Sequence, residues 1–308
     1  MRRGLGLALL LCASTANADQ NDLVLSKLGT MTPAGTFVGD SVAFRSLASQ
    51  LGVVLAPHLL TPADTVGADG FQLSVDYSNT SIDQSAAYWR ALEGPAPSSM
   101  STVGFFVRKG LWFPLPSFEV GAGAIHLLDA QAWAVQLYAK IALHEGYDDL
   151  PLPSLAVRGA VSRLIDQRQL DLTVASIDVS ASKHIGIGGT WSLDPYIGWD
   201  FLLIVPRSEV IDPTPNTDPL QTPSAIMSNF TFPDESNIFR NKVFLGAKAK
   251  IDVVELTLEG ALVLAGNSVD DQPGATSACQ PMTTVAVCNT KDTAALQRSI
   301  SLNAGFEF

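Results

Sequence analysis

RSISLNAGFEF, residues 298–308, puts Ile300, Leu302, Ala304, Phe306 and Phe308 on one parity and Ser299, Ser301, Asn303, Gly305 and Glu307 on the other. Successive side chains of an extended chain point to opposite faces, so this is a strand with one apolar and one polar side. Such a strand needs two different surroundings, and the same two-sidedness recurs through most of the chain.

Upstream, Val254, Leu256, Leu258, Leu262 and Leu264 oppose Glu255, Thr257 and Glu259. Across a tight turn at Asp252 and Val253, residues Val243, Leu245, Ala247, Ala249 and Ile251 oppose Lys242, Gly246, Lys248 and Lys250. A two-residue turn sets Lys250 opposite Glu255 and Lys248 diagonal to it. Trp191, Leu193, Ile197, Trp199, Phe201 and Leu203 oppose Ser192, Asp194, Tyr196 and Asp200. The clearest run is Trp133, Val135, Leu137, Ala139, Ile141 and Leu143 against Gln136, Tyr138, Lys140 and His144. Shorter runs face Gln72, Ser74 and Asp76; Gly104, Phe106 and Arg108; Glu119, Gly121 and Gly123; and Ala156, Arg158, Ala160 and Ser162 away from their apolar neighbours. One run breaks step: Leu170, Leu172 and Val174 give way to Ile177, Val179 and Ala181, which predicts a bulge near Ala175 and Ser176.

These runs amount to about ten strands, within a range of about 8–12, the even-numbered pattern of single-chain bacterial barrels. The long connections, 78–100, 206–237 and 266–294, all follow odd-numbered strands, and the others are turns of at most about nine residues, as in barrels with long loops outside and short turns inside. The repeated Pro-Leu-Pro-Ser at 114–117 and 151–154 marks two turns on one rim. The fold class is therefore all-β, a single antiparallel transmembrane β-barrel over 69–308. A soluble sandwich gives no reason for loop lengths to sort this way.

Ahead of the barrel, Arg2 and Arg3, an apolar run from Leu5 to Cys12, and Ala16-Asn17-Ala18 read as a secretory signal over 1–18, cleaved after Ala18. The segment 19–68 reads as a periplasmic lead-in. Within it Phe44, Leu47, Ala48, Leu51 and Leu55 recur at helical spacing opposite Arg45, Ser46, Ser49 and Gln50, predicting a short amphipathic helix near 41–55, capped by Asp40 or Ser41 and ended by Pro57. That helix either plugs or props the barrel, or acts as a mobile gate. With the signal gone, Cys279 and Cys288 are the remaining cysteines, most simply a disulfide in an oxidising compartment. Charged residues are 16% of the chain and hydrophobic ones 47%, and the net charge of -11 argues against nucleic acid as a partner. No cofactor motif and no metal-ligand cluster is present.

A C-terminal strand ending on Phe308 with Phe306 two positions earlier resembles the sorting strand of Gram-negative outer-membrane β-barrel proteins. The resemblance implies location in the bacterial outer membrane, contact with outer-membrane lipid and recognition of the last strand by the barrel-assembly machinery. Lumen chemistry then decides function. Arg108, Glu119, Lys140, Arg158, Lys248, Lys250, Glu255 and Glu259 fall on the polar parity and are the candidate pore lining, with small lumen residues such as Gly121, Gly123, Ala156 and Ala160 leaving room. They point to a narrow channel or transport protein for small solutes. The alternatives are a structural or surface-interaction barrel working through its external loops, and an outer-membrane hydrolase needing a histidine beside Ser, Asp or Glu, for which His126 with Asp129 is the candidate.

Overall fold

The computed structural model describes residues 19–33, 35–58, 60–113, 117–145, 152–214, 229–235, 237–270 and 289–308. A 3-10 turn at Leu25–Leu28 leads into a small hairpin, β1 (Gly29–Met31) and β2 (Phe37–Gly39), and helix α1 (Ser41–Val54) follows. The strands are then β3 (Phe71–Ser81), β4 (Ser99–Leu111), β5 (Phe118–Leu127), β6 (Ala132–His144), β7 (Ser154–Ile165) and β8 (Leu170–Ser182). They continue as β9 (Ile185–Ile187), β10 (Trp191–Ser208), β11 (Ile238–Ile251), β12 (Val254–Val263) and β13 (Gln297–Glu307). Ten of these, β3–β8 and β10–β13, form a closed antiparallel barrel, sealed where β13 pairs with β3 and β10 with β11; the short β9 only extends one rim. The expected fold class is the observed one.

Alternation builds the wall. On β13, Ile300, Leu302 and Phe306 face outward and are exposed, while Ser299, Ser301 and Asn303 are buried inside. On β12, Leu256 and Leu258 face out and Glu255, Thr257 and Glu259 face in. A soluble protein buries its leucines and exposes its glutamates; a wall with the reverse arrangement matches hydrocarbon outside. Lys250 and Glu255 are direct partners across the two-residue turn, as the sequence predicts.

One rim carries the long connections 82–98, 209–237 and 264–296; the other carries the turns 112–117, 145–153 and 252–253, together with Phe71 and Phe308, whose main chains bond to each other at 2.9 and 2.8 Å. One expectation fails here. The bulge on β8 is absent: β8 pairs with β7 and β10 in unbroken register, and the irregularity sits instead between Ala142 and His144 on β6. Leu170, Leu172 and Val174 point inward like Ser176 and Asp178 after them, because this half of the lumen is itself apolar. The start of the lead-in lies at the long-loop rim. Asn21 N–H donates to Asp129 O (2.8 Å), Val24 N–H to Ala91 O (2.7 Å) and Leu25 N–H to Gln169 Oε1 (2.7 Å), all on the long-loop rim. From there the chain descends through the lumen as α1, residues 55–58 and residues 60–70, and emerges at the opposite rim, where Gly110 N–H donates to Gly70 O (3.0 Å).

Candidate functional site: a plugged and charged lumen

The lumen has two zones. In the long-loop half, α1 is enclosed on every side and packs against β4, β8, β10 and β11. Asp40 caps it, accepting from Ala43 N–H at 3.1 Å. Phe44, Leu47 and Leu51 join one apolar cluster with the inward Leu172, Val174, Leu202 and Ile204, and Phe44 stacks on Phe232 at 4.4 Å. Gly52 lets helix and wall meet, since a Cβ there would lie 2.6 Å from Ile204 Cγ2. The helix's polar residues are as buried as its apolar ones. Arg45 pairs with Glu235 and donates to Asn237 Oδ1 (2.9 Å) and Ser268 Oγ (3.1 Å), and Ser49 donates to Asp292 (2.6 Å). Burial pushes the Asp292 carboxyl above its usual range, against the Ser49 hydrogen bond.

The short-turn half is charged. Register sets Glu119, Lys140, Arg158, Asp178, Asp200 and Lys242 in one row of direct neighbours across six consecutive barrel strands, β5 to β11. Lys140 meets Glu119 at 3.2 Å, Arg158 meets Asp178 at 2.7 Å and Lys242 meets Asp200 at 2.7 Å. This belt grips residues 55–66 chiefly by their main chain. Lys140 donates to Asp64 O (2.8 Å) and Pro62 O (3.3 Å), Lys242 to Pro57 O (3.3 Å) and Gln136 to Leu55 O (3.4 Å). Glu119 accepts from Val66 N–H (2.9 Å), and Arg158 donates to Thr61 Oγ1 (3.0 Å).

All eight candidate lining residues lie on the lumen side. Lys248 meets Glu255 at 3.0 Å and also Glu307; Lys250 turns to Glu307 (2.6 Å) rather than to its register partner; Glu259 accepts from Tyr196 (2.8 Å); Arg108 donates to Gln72 (2.9 Å). Among the described residues their polar atoms are taken up by the plug, by one another and by neighbouring wall side chains such as Gln72, Tyr196 and Glu307. Among the described residues a vestibule of about 200 Å³ opens at the short-turn rim, lined among others by Lys140, Lys248, Lys250, Asp194 and Glu307. Sequence reasoning did not single out Asp178, Asp200, Lys242 or Gln136, although each shares the inward parity. The small lumen residues leave less room than expected: a Cβ on Gly121 would lie 2.2 Å from Tyr138, and one on Gly123 would lie 2.3 Å from Phe106. Those glycines are filled by the aromatic ring of the neighbouring strand, as Gly198 is by Phe244 and Gly246 by Tyr196.

His126 stacks on Trp133 (4.5 Å) with Nδ1 at Ala132 O (3.2 Å) and makes no pair with Asp129. A different pair, His184 Nδ1 with Asp194 (2.6 Å), borders the vestibule beside Ser192, and among the described residues no hydrogen bond joins Ser192 to His184. Phe306 and Phe308 face outward. Cys279, Cys288 and the signal segment lie outside the described residues.

No protein-family model matches the sequence, and no curated protein matches it significantly. Several solved structures are similar. Neisserial surface protein A is 12% identical over 77% of this chain and 95% of that one, at a TM-score of 0.29. The outer membrane protease OmpT from Escherichia coli is 11% identical over 82% and 99%, at 0.34. The transport unit of the autotransporter AIDA-I from Escherichia coli is 7% identical over 85% and 98%, at 0.36. The chain's own geometry is that of a closed antiparallel ten-strand barrel with an apolar outer face.

Proposed function

We propose that the protein is an outer-membrane barrel serving as a narrow, normally shut passage for small solutes, with residues 41–70 as its plug. The long-loop rim then faces outward, the short-turn rim faces the periplasm, and Phe306 and Phe308 present the last strand to the assembly machinery. The observation that carries this reading is how the lower plug is held. Its main chain is bound by Gln136, Lys140, Lys242 and Glu119 through hydrogen bonds that water can replace, above a vestibule that is already open.

The test is planar-bilayer recording on refolded protein beside Ala48→Pro, which breaks α1 in its interior while leaving the wall untouched. Wild type is expected to be near silent and the variant to show discrete conductance. Should the variant fold, judged by heat-modifiable migration, and stay silent, the passage reading fails. The second reading, a surface-interaction barrel, draws on residues 19–40, which are built into the long-loop rim and broaden it into a platform.

A further inference from the structure

The plug is gripped differently on its two sides. Toward β8 and β10, α1 presents Phe44, Leu47 and Leu51 to an apolar wall, a contact without direction. Its polar side is bound residue by residue to the ends of two long connections. Arg45 pairs with Glu235 and bonds Asn237 O (3.1 Å), at the end of 209–237, and also bonds Ser268 Oγ (3.1 Å), at the start of 264–296. At the far end of 264–296, Thr293 N–H donates to Ser46 Oγ (2.9 Å) and Asp292 accepts from Ser49 (2.6 Å), whose hydroxyl also accepts from Arg240 at 2.9 Å. Glu235 further accepts from Thr290 Oγ1 (3.0 Å), so one carboxylate ties the first connection, the second connection and the helix together.

We propose that the Arg45–Glu235 pair is a latch by which the described ends of the two connections, at Glu235, Asn237, Ser268 and Thr290, hold the plug in place, so that loss of this pair frees α1. This deepens the passage reading and rests on it for its physiological meaning, though the latch itself is a property of the helix. A buried ion pair suits the task because removing or reversing one partner leaves the other charge stranded, which converts a small loop displacement into a large change in helix stability.

The experiment is hydrogen exchange, read by mass spectrometry, on the full chain refolded in detergent, with the same preparations recorded in planar bilayers. Glu235→Arg is expected to speed exchange of residues 41–54 by about tenfold while leaving 132–144 unchanged, and to open conductance; the swap Arg45→Glu with Glu235→Arg is expected to restore both. Unchanged exchange in 41–54, equal acceleration throughout the barrel, or a swap that restores nothing overturns the latch. The two readings separate cleanly. If exchange responds as expected yet neither Glu235→Arg nor Ala48→Pro conducts, the latch stands and the passage falls. If Ala48→Pro conducts while Glu235→Arg leaves exchange and conductance as in wild type, the latch falls and the passage stands.

Discussion

At Glu235, burial and charge pull in opposite directions. Loss of water pushes its carboxyl up to about 7, while Arg45 and the Thr290 hydroxyl pull it down and Asp270 adds to the rise. The folded protein therefore keeps this proton across a range where an unfolded chain has released it. The buried state of this carboxyl is therefore favoured at acid pH, a contribution to folded-state stability lost as pH rises through about 7, because the ionised group resists losing water even though its attraction to Arg45 is then strongest. Exchange of 41–54, corrected for its intrinsic pH dependence, should be faster at about pH 8 than at about pH 6, and Glu235→Gln should remove the difference. The glycines make a second residue-scale case. Gly121→Ala meets the Tyr138 ring and is expected to cost about 1–3 kcal/mol in urea unfolding from vesicles, whereas Gly159→Ala meets nothing within 4 Å and should be near neutral. The sequence shows Gly121 on an inward position and Gly159 on an outward one, but not what fills the space beside Gly121. That depends on which residue of the next strand stands opposite, and register is settled by hydrogen bonding between strands rather than by either strand alone.

Elements were more legible than residues. The spacing of Phe44, Leu47, Leu51 and Leu55 finds α1, and Asp40 does cap it; Asp40→Ala should cost about 1 kcal/mol, visible as faster exchange in the first turn of the helix. Amphipathicity, however, ordinarily reports one wet and one dry face, and α1 has no wet face. Arg45, Ser46, Ser49 and Gln50 are all fully buried, so the pattern records polar partners on the long connections rather than solvent. The same cause misleads on β8. Leu170, Leu172 and Val174 are inward in an apolar stretch of lumen, which from sequence alone imitates a change of side. Leu172→Glu should therefore unseat the helix and lower the unfolding midpoint, while Thr173→Leu, on the outer face, should be tolerated. A bulge at Ala175 and Ser176 would require the reverse.

For the whole molecule, strand number, closure and the sorting of loop lengths followed from alternation, since every barrel strand obeys the same two-solvent rule. The path of residues 19–70 did not, because irregular sequence carries no period from which to read a direction. In a Cys279→Ser, Cys288→Ser background, a membrane-impermeant maleimide should label Thr36→Cys on intact cells, and label Gly186→Cys on β9 only after the outer membrane is opened. Labelling of both, or of Gly186→Cys alone, would invert the orientation proposed above.

The seam between β3 and β13 has a consequence for how the protein is made. Residue 70 hands directly to β3, and the strand that completes the ring pairs with that same β3. The sheet therefore has two routes. It can wind around the descending segment like a sleeve sewn shut over a cord, or it can close first and draw residues 19–54 up through an interior that side chains already fill. Only the first avoids stripping the inner wall of its partners, so biogenesis should wait for the cord to lie straight before the last stitch is made.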